Sequence, residues 1–442
     1  MSGVLAVILA VVVLRNAGAL REPVEHRILA AEGGLRWYRG NLHTHTLWSD
    51  GDDYPEMVAL WYKDHGYDFL AFTDHNSIQG AERWIKPLES KGGQAALDKL
   101  KVRFPSGWVE QRTATDGALE VRLKRFAEVA GRVTDPGFLL LQGEEISDQF
   151  QKVPIHMNVT NVQEAVPPMG GDSFYEVMQR NTDALIAQRE RTGQPMLIHM
   201  NHPNFHFAIT AEDLMRVRGE NFFEVYNGHP SVNNSGDTYH ASTERIWDVI
   251  LTRRIAELHL PLMYGLATDD GHSYHEIPSR SAEPGRGWIM VLARDLAPGS
   301  LIEAMEQGNF YASSGVRLER VTSSAEMLEV RVEPDPNVDY VIDFIGTKRG
   351  FDASTEDPVY PGGKLLHTTR RYSRDVGTVL RSVAGTRGVY DFAPDDLYVR
   401  ARVTANRRHP NPSEWKEFER AWTQPVLGPA GHREANGDAV PH

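Results

Sequence analysis

Two histidines in the N-terminal part of the chain, His43 and His45, stand two positions apart. On a β-strand this spacing places both imidazoles on one face, where they can bind the same cation. Asp270 and His272 repeat the spacing much later in the chain. Two surface histidines would explain the first pair equally well, so a metal site must be argued from the wider pattern.

Further histidines and carboxylates follow short apolar runs. Asp50 stands in a Ser-Asp-Gly turn, and His75, Glu145, His156 and His202 come at or just after the end of such runs. If the runs are strands of one parallel sheet, their carboxyl ends meet at one edge and bring these side chains together. With the two pairs, the set has nine nitrogen and oxygen ligands, more than the roughly four to six that one ion takes. The count predicts a cluster of two or three divalent metal ions, bridged by a carboxylate such as Glu145.

Three neighbouring side chains have competing explanations. Asp74 could cap a helix N-terminus or carry protons during catalysis. His199 could be a core histidine or a second proton carrier. Glu144 and Glu145 are adjacent, and on a strand only one of them can point inward, which the spacing alone leaves open.

The composition narrows the chemistry. The 442 residues include no cysteine, which excludes a disulfide framework, a thiolate metal site and a cysteine nucleophile. The formal net charge of -13 argues against a polyanion-binding surface, so we expect no nucleic-acid partner. A small anionic substrate stays compatible, because metal ions reverse the potential within a cleft. The sequence leaves the oligomeric state open.

The first residues differ in character from the rest. Residues 3–14 form an apolar run, followed by the small-residue pattern Ala17-Gly18-Ala19. The run is shorter than the roughly 20 residues of a comfortable membrane span. It predicts a signal peptide over 1–19 and export to the periplasm or the exterior, with no membrane association beyond this leader. An uncleaved anchor and a misassigned start codon are the alternatives, since no basic residue precedes the run.

The elements that must position the candidate ligands alternate between strand and helix. Helical spacing predicts helices over 55–65, 174–191 and 243–254, and the apolar runs between them predict buried parallel strands. The predicted strands are 35–38, 68–72, 138–141, 154–155, 196–198, 222–226 and 262–266. Alternation of this kind predicts an α/β fold. Polar clusters at seven strand ends favour a TIM-like barrel, and the segment from about 103 to 136 is expected to be an inserted helical excursion.

The pattern changes after Gly315. Period-2 alternation in 327–332, 340–345 and 397–403 predicts a small antiparallel β-sandwich domain over 316–427, after a barrel domain over 36–315. The remaining residues, 428–442, are expected to form a disordered tail.

The ordered motifs resemble the polymerase and histidinol phosphatase (PHP) superfamily over about residues 36–315. The matching stretches are His43-Thr44-His45, Ser49-Asp50-Gly51, Thr73-Asp74-His75, Gly143-Glu144-Glu145, His156, Asn201-His202-Pro203 and Asp270-Gly271-His272. The resemblance implies a distorted (β/α)7 barrel with two or three ions of zinc, manganese or iron. The ligands that it implies are His43, His45, Asp50, His75, Glu145, His156, His202, Asp270 and His272. Two less specific stretches, 308–315 and 421–425, resemble the carbaryl-hydrolase-like branch.

Such a site predicts a metal-dependent hydrolase that uses a metal-activated water and acts on a small-molecule substrate. For a phosphate ester, Arg280 or Arg286 could grip the non-bridging oxygens, unless both are ordinary loop arginines. For an aryl ester or carbamate, Trp48, Phe205 and Tyr274 could line a pocket, unless they only pack. We predict a phosphoesterase, with ester, amide or carbamate hydrolysis as the alternative. The rival of a different class is a non-catalytic exported binding protein with a vestigial barrel.

Overall fold

The structure is a computed structural model that describes residues 26–435. Within that range, helices α1 to α8 span Pro55–Asp64, Gly93–Arg103, Phe126–Val133, Phe174–Thr192, Ala211–Leu214, Thr243–Arg253, Pro298–Glu306 and Pro429–Ala435. Strands β1 to β13 span His26–Leu29, Arg36–Asn41, Phe69–Phe72, Arg83–Ile85, Gln111–Thr113, Leu119–Leu123, Leu139–Phe150, Val153–Thr160, Leu197–Met200, Phe222–Asn227, Tyr264–Thr268, Trp288–Ala293 and Phe310–Ser313. Strands β14 to β25 span Leu318–Ser324, Met327–Val332, Tyr340–Lys348, Thr355–Glu356, Val359–Tyr360, Lys364–Leu365, Arg371–Tyr372, Thr378–Ala384, Arg387–Asp391, Asp396–Arg408, Phe418–Thr423 and Val426–Leu427.

The predicted signal peptide lies outside the described residues. No helix between residues 26 and 435 is long and apolar enough to cross a membrane.

One large mixed sheet organises the fold. Its strand order is β11-β10-β9-β8-β7-β3-β2-β12-β13-β24-β23-β16-β21, with β25 paired to β23. The pairs β2–β3, β3–β7, β9–β10 and β10–β11 are parallel. Just beyond β2 and β11, Thr44 and Gly271 form an isolated parallel bridge, so the ends of these two distant strands meet. The α/β class is confirmed, while the closed (β/α)7 barrel and the β-sandwich stay predictions.

The apolar runs predicted a parallel sheet, but the sheet is mixed. Strand β8 is antiparallel to both β7 and β9. The turn residues between β7 and β8, Gln151 and Lys152, have φ values of 50° and 70°. Two consecutive residues with positive φ form the tight turn of a β-hairpin, which reverses the chain at once. His156 therefore lies inside an antiparallel strand, opposite Ser147, and not at the end of a parallel one.

The insertion before β7 is only partly helical. Strands β4, β6 and β5 form a small antiparallel sheet, and the α-helical residues of the insertion belong to α2 and α3. The expected helical excursion over 103–136 is therefore wrong for 111–123. The side chains of Val121 and Leu123 alternate towards a core that includes Trp48, a period-2 pattern typical of a half-buried strand.

The C-terminal β part continues the same sheet. Strand β13 pairs with β24, and one hydrophobic core includes residues of both parts, among them Trp247 and Trp422. The expected tail is ordered at its start, since α8 lies over 429–435 and buries Ala430 and Gly431. A Cβ atom at Gly431 would lie 2.0 Å from the Leu397 carbonyl oxygen, so the helix packs directly on β23. Residues 436–442 lie outside the described range.

A buried ion pair links β23 to α6. The Arg400 Nε lies 2.8 Å and its Nη2 2.7 Å from the two carboxylate oxygens of Asp248, and the Tyr398 hydroxyl donates to the same carboxylate at 2.9 Å. Arg400 is 1% exposed. Removing one partner of such a pair leaves the other charge buried without compensation.

The substitution Arg400→Met is expected to lower the free energy of unfolding by about 3–5 kcal/mol, because Asp248 would stay buried without its cation. Urea denaturation measures this loss. The control is Arg180→Met, which removes an exposed ion pair with Glu176 and is expected to cost less than about 1 kcal/mol. Equal losses in the two variants would show that the buried pair does not anchor the C-terminal part.

Glu220, in the loop before β10, is a second buried charge-bearing group. Burial raises the pKa of its carboxyl to about 8, although a hydrogen bond from the Phe222 backbone N–H and the nearby Arg254 favour the ionised form. An acid whose pKa is higher in the folded state binds a proton more tightly there than in the unfolded chain. Its contribution to stability is complete below the unfolded pKa near 4.5 and is lost as the pH rises through 8.

The substitution Glu220→Gln is therefore expected to raise Tm relative to the wild type by an amount that grows between pH 5 and pH 8.5, on the order of 2 °C. Calorimetry across this pH range measures the difference. The exposed Glu326→Gln variant serves as a control and should follow the wild type at every pH. A constant difference for Glu220→Gln would contradict the raised pKa.

Candidate metal centre

The two histidines of the first pair lie just beyond β2, which ends at Asn41. His43 and His45 are on either side of Thr44, whose bridge to Gly271 keeps this short segment extended. Their rings are 5.2 Å apart and both side chains are buried. The predicted common direction of the pair therefore holds, although the histidines follow the strand and do not belong to it.

The carboxylate of Glu145, near the middle of the long strand β7, lies at the centre of the cluster and is 1% exposed. Five imidazole nitrogens lie within 3.4 Å of its two oxygens. Near Oε1 are His156 Nδ1 at 3.0 Å, His202 Nε2 at 3.3 Å and His43 Nε2 at 3.4 Å. Near Oε2 are His75 Nδ1 at 2.8 Å and His45 Nε2 at 3.3 Å. A carboxylate shared in this way has the position required of a bridge between cations.

Asp270 and Asp50 extend the cluster on its other sides. Asp270 Oδ1 lies 3.2 Å from His43 Nε2, 3.1 Å from His45 Nε2 and 3.5 Å from His272 Nδ1. Asp50 Oδ1 lies 3.2 Å from His272 Nε2, 3.5 Å from His75 Nε2 and 3.6 Å from His45 Nδ1. The structure therefore brings all nine sequence-predicted ligands together.

These nine side chains fall into overlapping groups whose ligand atoms lie within 4.8 Å of one another. The groups are His45-Asp50-His75-His272, His43-His45-Asp270, His43-Glu145-His202 and His75-Glu145-His156. Because members are shared, neighbouring cations would be bridged, as a multinuclear centre requires.

Several ligand atoms have no other role. His43 Nε2, His45 Nε2, Asp50 Oδ1 and Glu145 Oε2 are buried, and the close approaches of other ligand atoms within residues 26–435 do not have hydrogen-bond geometry. A buried polar atom without a partner is costly, so such atoms need an explanation. Divalent cations would satisfy all four, and imidazole with carboxylate is a donor set that zinc, manganese and iron accept. The residues present fit a cluster of divalent metals.

The electrostatics of the cluster act in both directions. Burial alone would lower the pKa values of His43, His75 and His272, but the neighbouring carboxylates raise them. Two other ligands are held in the forms that bind cations. Burial alone would raise the pKa of Glu145, but the adjacent His75, His156 and His43 hold that pKa well below its usual range. Burial, together with the neighbouring His272 and His75, lowers the pKa of the His45 imidazole to about 3. A metal ligand must be an ionised carboxylate or a neutral imidazole, and these two groups are in those forms at neutral pH.

Glu224 is a functional candidate that the motif series missed. This buried carboxylate on β10 lies 2.7 Å from His43 Nδ1 and also accepts hydrogen bonds from the Thr268 hydroxyl at 2.8 Å and the His202 backbone N–H at 2.7 Å. Holding a proton on His43 Nδ1 leaves Nε2 free for a cation, the usual role of a carboxylate behind a metal-bound histidine. The signal in the sequence was a single acid inside the apolar run 222–226.

The two predicted proton carriers lie in different surroundings. His199 is fully buried, 3.4 Å from Glu224, and neither ring nitrogen has a hydrogen-bond partner in the described chain. Asp74 accepts hydrogen bonds from Thr46, Ser49 and Gln79, and no helix begins there. Four donors bind its carboxylate and hold the loop after His45, so the helix-capping explanation is wrong, and proton transfer by Asp74 stays a prediction. The proton-carrying role of His199 stays a prediction.

Arg286 is neither a solvated loop arginine nor free to grip a substrate. The side chain is buried, and its five N–H groups donate to the backbone oxygens of Gly228, Ser281 and Asn411 and to the side chains of Asn411 and Glu283. Since no donor is left, the predicted phosphate contact is not supported, and Arg286 joins the loops beside the cluster to the C-terminal part. Arg280 lies in an exposed segment.

The three candidate aromatic residues differ in their position relative to the ligands. Trp48 is buried, and its indole N–H donates to the Lys124 carbonyl oxygen. Tyr274 is buried, and its hydroxyl donates to the Gly271 carbonyl oxygen. Phe205 is the one that lies beside the ligands, with its ring 5.1 Å from that of His202. Trp48 and Tyr274 therefore support the site from within the core and do not line it.

Comparisons with known proteins give only remote likenesses. No protein-family model matches the chain, and no curated protein matches its sequence. A two-domain protein from Bacteroides vulgatus, containing a predicted PHP-like metal-dependent phosphoesterase, is 15% identical, with a TM-score of 0.37 over 89% of this chain and 96% of its own. A candidate metal-dependent phosphoesterase from Bifidobacterium adolescentis is 13% identical, with a TM-score of 0.28 over 53% and 87%. An amidohydrolase from Chromobacterium violaceum, with bound sulfate and no metal, is 13% identical, with a TM-score of 0.27 over 61% and 96%.

Removing the charge behind His43 should weaken the centre without removing a ligand. We expect Glu224→Gln to lower metal affinity by about 10- to 100-fold, because a neutral amide oxygen holds the proton on His43 Nδ1 less strongly than the carboxylate does. Metal titration of the stripped protein measures the change. Glu220→Gln, at another buried glutamate off the cluster, is the matched control and should titrate like the wild type. Unchanged affinity in Glu224→Gln would remove this residue from the site.

Proposed function

We propose that the protein is a metal-dependent hydrolase that acts on phosphate esters. The observation that carries the proposal is the convergence of nine nitrogen and oxygen ligands, four of which present buried atoms without another partner. Bound divalent cations would lower the pKa of a water molecule and offset the negative charge of a phosphate ester. A non-catalytic binding protein with a vestigial barrel would be expected to lack some of the ligands, and all nine are present.

The chain itself fixes the ligands before any substrate binds. The Asn201 side-chain amide donates to Glu145 Oε1 at 2.8 Å and to the Asn158 side-chain oxygen at 3.0 Å. The Ser147 hydroxyl lies 2.6 Å from His75 Nδ1, and Glu224 holds His43. Side chains held from behind in this way keep the reactive geometry without reorganisation during the reaction.

The lining of the cluster favours a phosphate ester over an aryl ester or carbamate. The reacting carbonyl of an aryl ester or carbamate is neutral, so such a substrate depends on apolar contacts for binding, and the buried Trp48 and Tyr274 do not line the site. Phe205 provides one aromatic ring at the edge of an otherwise charged and polar site. A highly charged centre instead suits a substrate whose reacting group is an anion.

The finer assignments are part of the same proposal. The order of the motifs and the geometry of their side chains support a place in the PHP superfamily, with zinc, manganese or iron as the metals. The carbaryl-hydrolase-like branch and export of the protein rest on sequence patterns outside the cluster. His199 is the proposed proton carrier, because it is buried beside Glu224 and has unused ring nitrogens.

Metal analysis and a substrate panel test the proposal directly. The purified protein is expected to contain two or three equivalents of divalent metal, or to be activated by added Mn²⁺ or Zn²⁺. It should hydrolyse p-nitrophenyl phosphate or bis-p-nitrophenyl phosphate, and not naphthyl carbamates. Cleavage of the carbamate alone would replace the phosphoesterase assignment with the ester and carbamate alternative. Less than one equivalent of metal, with no activation, would reject the hydrolase.

A ligand substitution tests the assignment of the centre. His45→Ala removes a side chain shared by two of the ligand groups, so we expect loss of bound metal and a fall in kcat of at least about 100-fold. His65→Ala, an exposed histidine stacked on Trp61, is the matched control and should keep both metal and activity. Activity that survives His45→Ala would show that the ligands are wrongly assigned.

A further inference from the structure

One lysine lies at the metal centre although no motif includes it. Lys91, in the insertion just before α2, donates to the Asp50 backbone oxygen at 2.5 Å, and its Nζ lies 3.3 Å from Asp50 Oδ2. The Lys91 side chain is 58% exposed and that of Asp50 is 42% exposed. An ammonium group therefore lies where the cluster meets solvent.

The two carboxylate oxygens of Asp50 have different surroundings. Oδ1 faces the rings of His272, His75 and His45, and Oδ2 faces Lys91. Lys91 is thus on the side of Asp50 that faces away from the three imidazoles, and its side chain is exposed to solvent. When Asp50 shares its charge with a cation, its attraction for Lys91 weakens, and the ammonium can bind another anion.

Close packing holds Lys91 in this position. A Cβ atom on the next residue, Gly92, would lie 2.2 Å from the Asp52 backbone oxygen, so only glycine allows the insertion to approach the 50–53 loop. Lys99, on α2, forms an ion pair with Asp53 and donates to the Tyr274 carbonyl oxygen at 3.3 Å. The backbone at Lys91 is therefore fixed beside the 50–53 loop, while its side chain stays exposed.

A basic side chain beside the metals would add a contact to the substrate. A phosphate ester carries non-bridging oxygens that basic side chains commonly bind, and Arg286 has no donor left for them. Lys91 has three N–H donors on a flexible stem, which suits a substrate that must enter and leave.

We propose that Lys91 is a specificity-determining residue, which binds a non-bridging oxygen of the substrate's phosphate group and thereby selects anionic esters. The inference rests on the proposed function, whose substrate class it defines. It concerns binding and adds no chemical step.

The test compares Lys91→Met with the wild type as metal-loaded, full-length proteins. Metal content should be unchanged, KM for p-nitrophenyl phosphate should rise about tenfold with a smaller change in kcat, and calorimetry should show about tenfold weaker binding of inorganic phosphate. Lys91→Arg should restore most of the phosphate affinity. Lys101→Met, at an exposed position on α2, is the matched control and should behave as the wild type.

Two results would overturn the proposal. A loss of metal together with a fall in kcat would mean that Lys91 only positions Asp50. Phosphate binding in Lys91→Met that equals the wild type would mean that Lys91 does not contact the anion. If the metal-loaded wild type hydrolyses no phosphate ester, the proposed function fails, while the calorimetric comparison still decides whether Lys91 binds phosphate.

Discussion

A carboxylate as deeply buried as Glu145 is tolerable only because charge or hydrogen-bond donors surround it. Here five imidazoles and the amide of Asn201 do so, and the same requirement extends to Asp270. Several nitrogens of the buried histidines make no hydrogen bond within the described residues. The buried carboxylate and the histidines around it thus define a centre that divalent cations complete.

The backbone must deliver these side chains from distant parts of the chain. Parallel strands bring the residues after β2 and β3 to one edge of the sheet, and the Thr44–Gly271 bridge adds the residues after β11. The hairpin of β7 and β8 contributes Glu145 and His156 from the middle of two long strands. The positions of the ligands therefore depend on regular strand pairing as much as on loops.

Two additions to the sheet shape the surroundings of the centre. The insertion with α2 presses Gly92 against the 50–53 loop and places Lys91 beside Asp50. The C-terminal part contributes Asn411, which accepts two hydrogen bonds from Arg286. Both contacts concern the loops next to the ligands. The insertion and the C-terminal part carry no ligand, but both contact the loops that adjoin the ligands.

Residue type and spacing by themselves determined the α/β class, the helices α1, α4 and α6, the strands β2, β3 and β7 to β11, and the side chains of the cluster. These features could be predicted because ligand chemistry and short-range periodicity are local properties of a sequence. The sequence did not reveal the antiparallel β8, the β4–β6 sheet or the ordered start of the tail, since each depends on a turn or a packing partner. Only the tertiary structure decided which charged residues are buried and which partners they bind. Arg286 is buried and donates all its hydrogen bonds to neighbouring loops, whereas Arg280 lies in an exposed segment. Glu224 is distant from His43 in the sequence and meets it only through strand pairing.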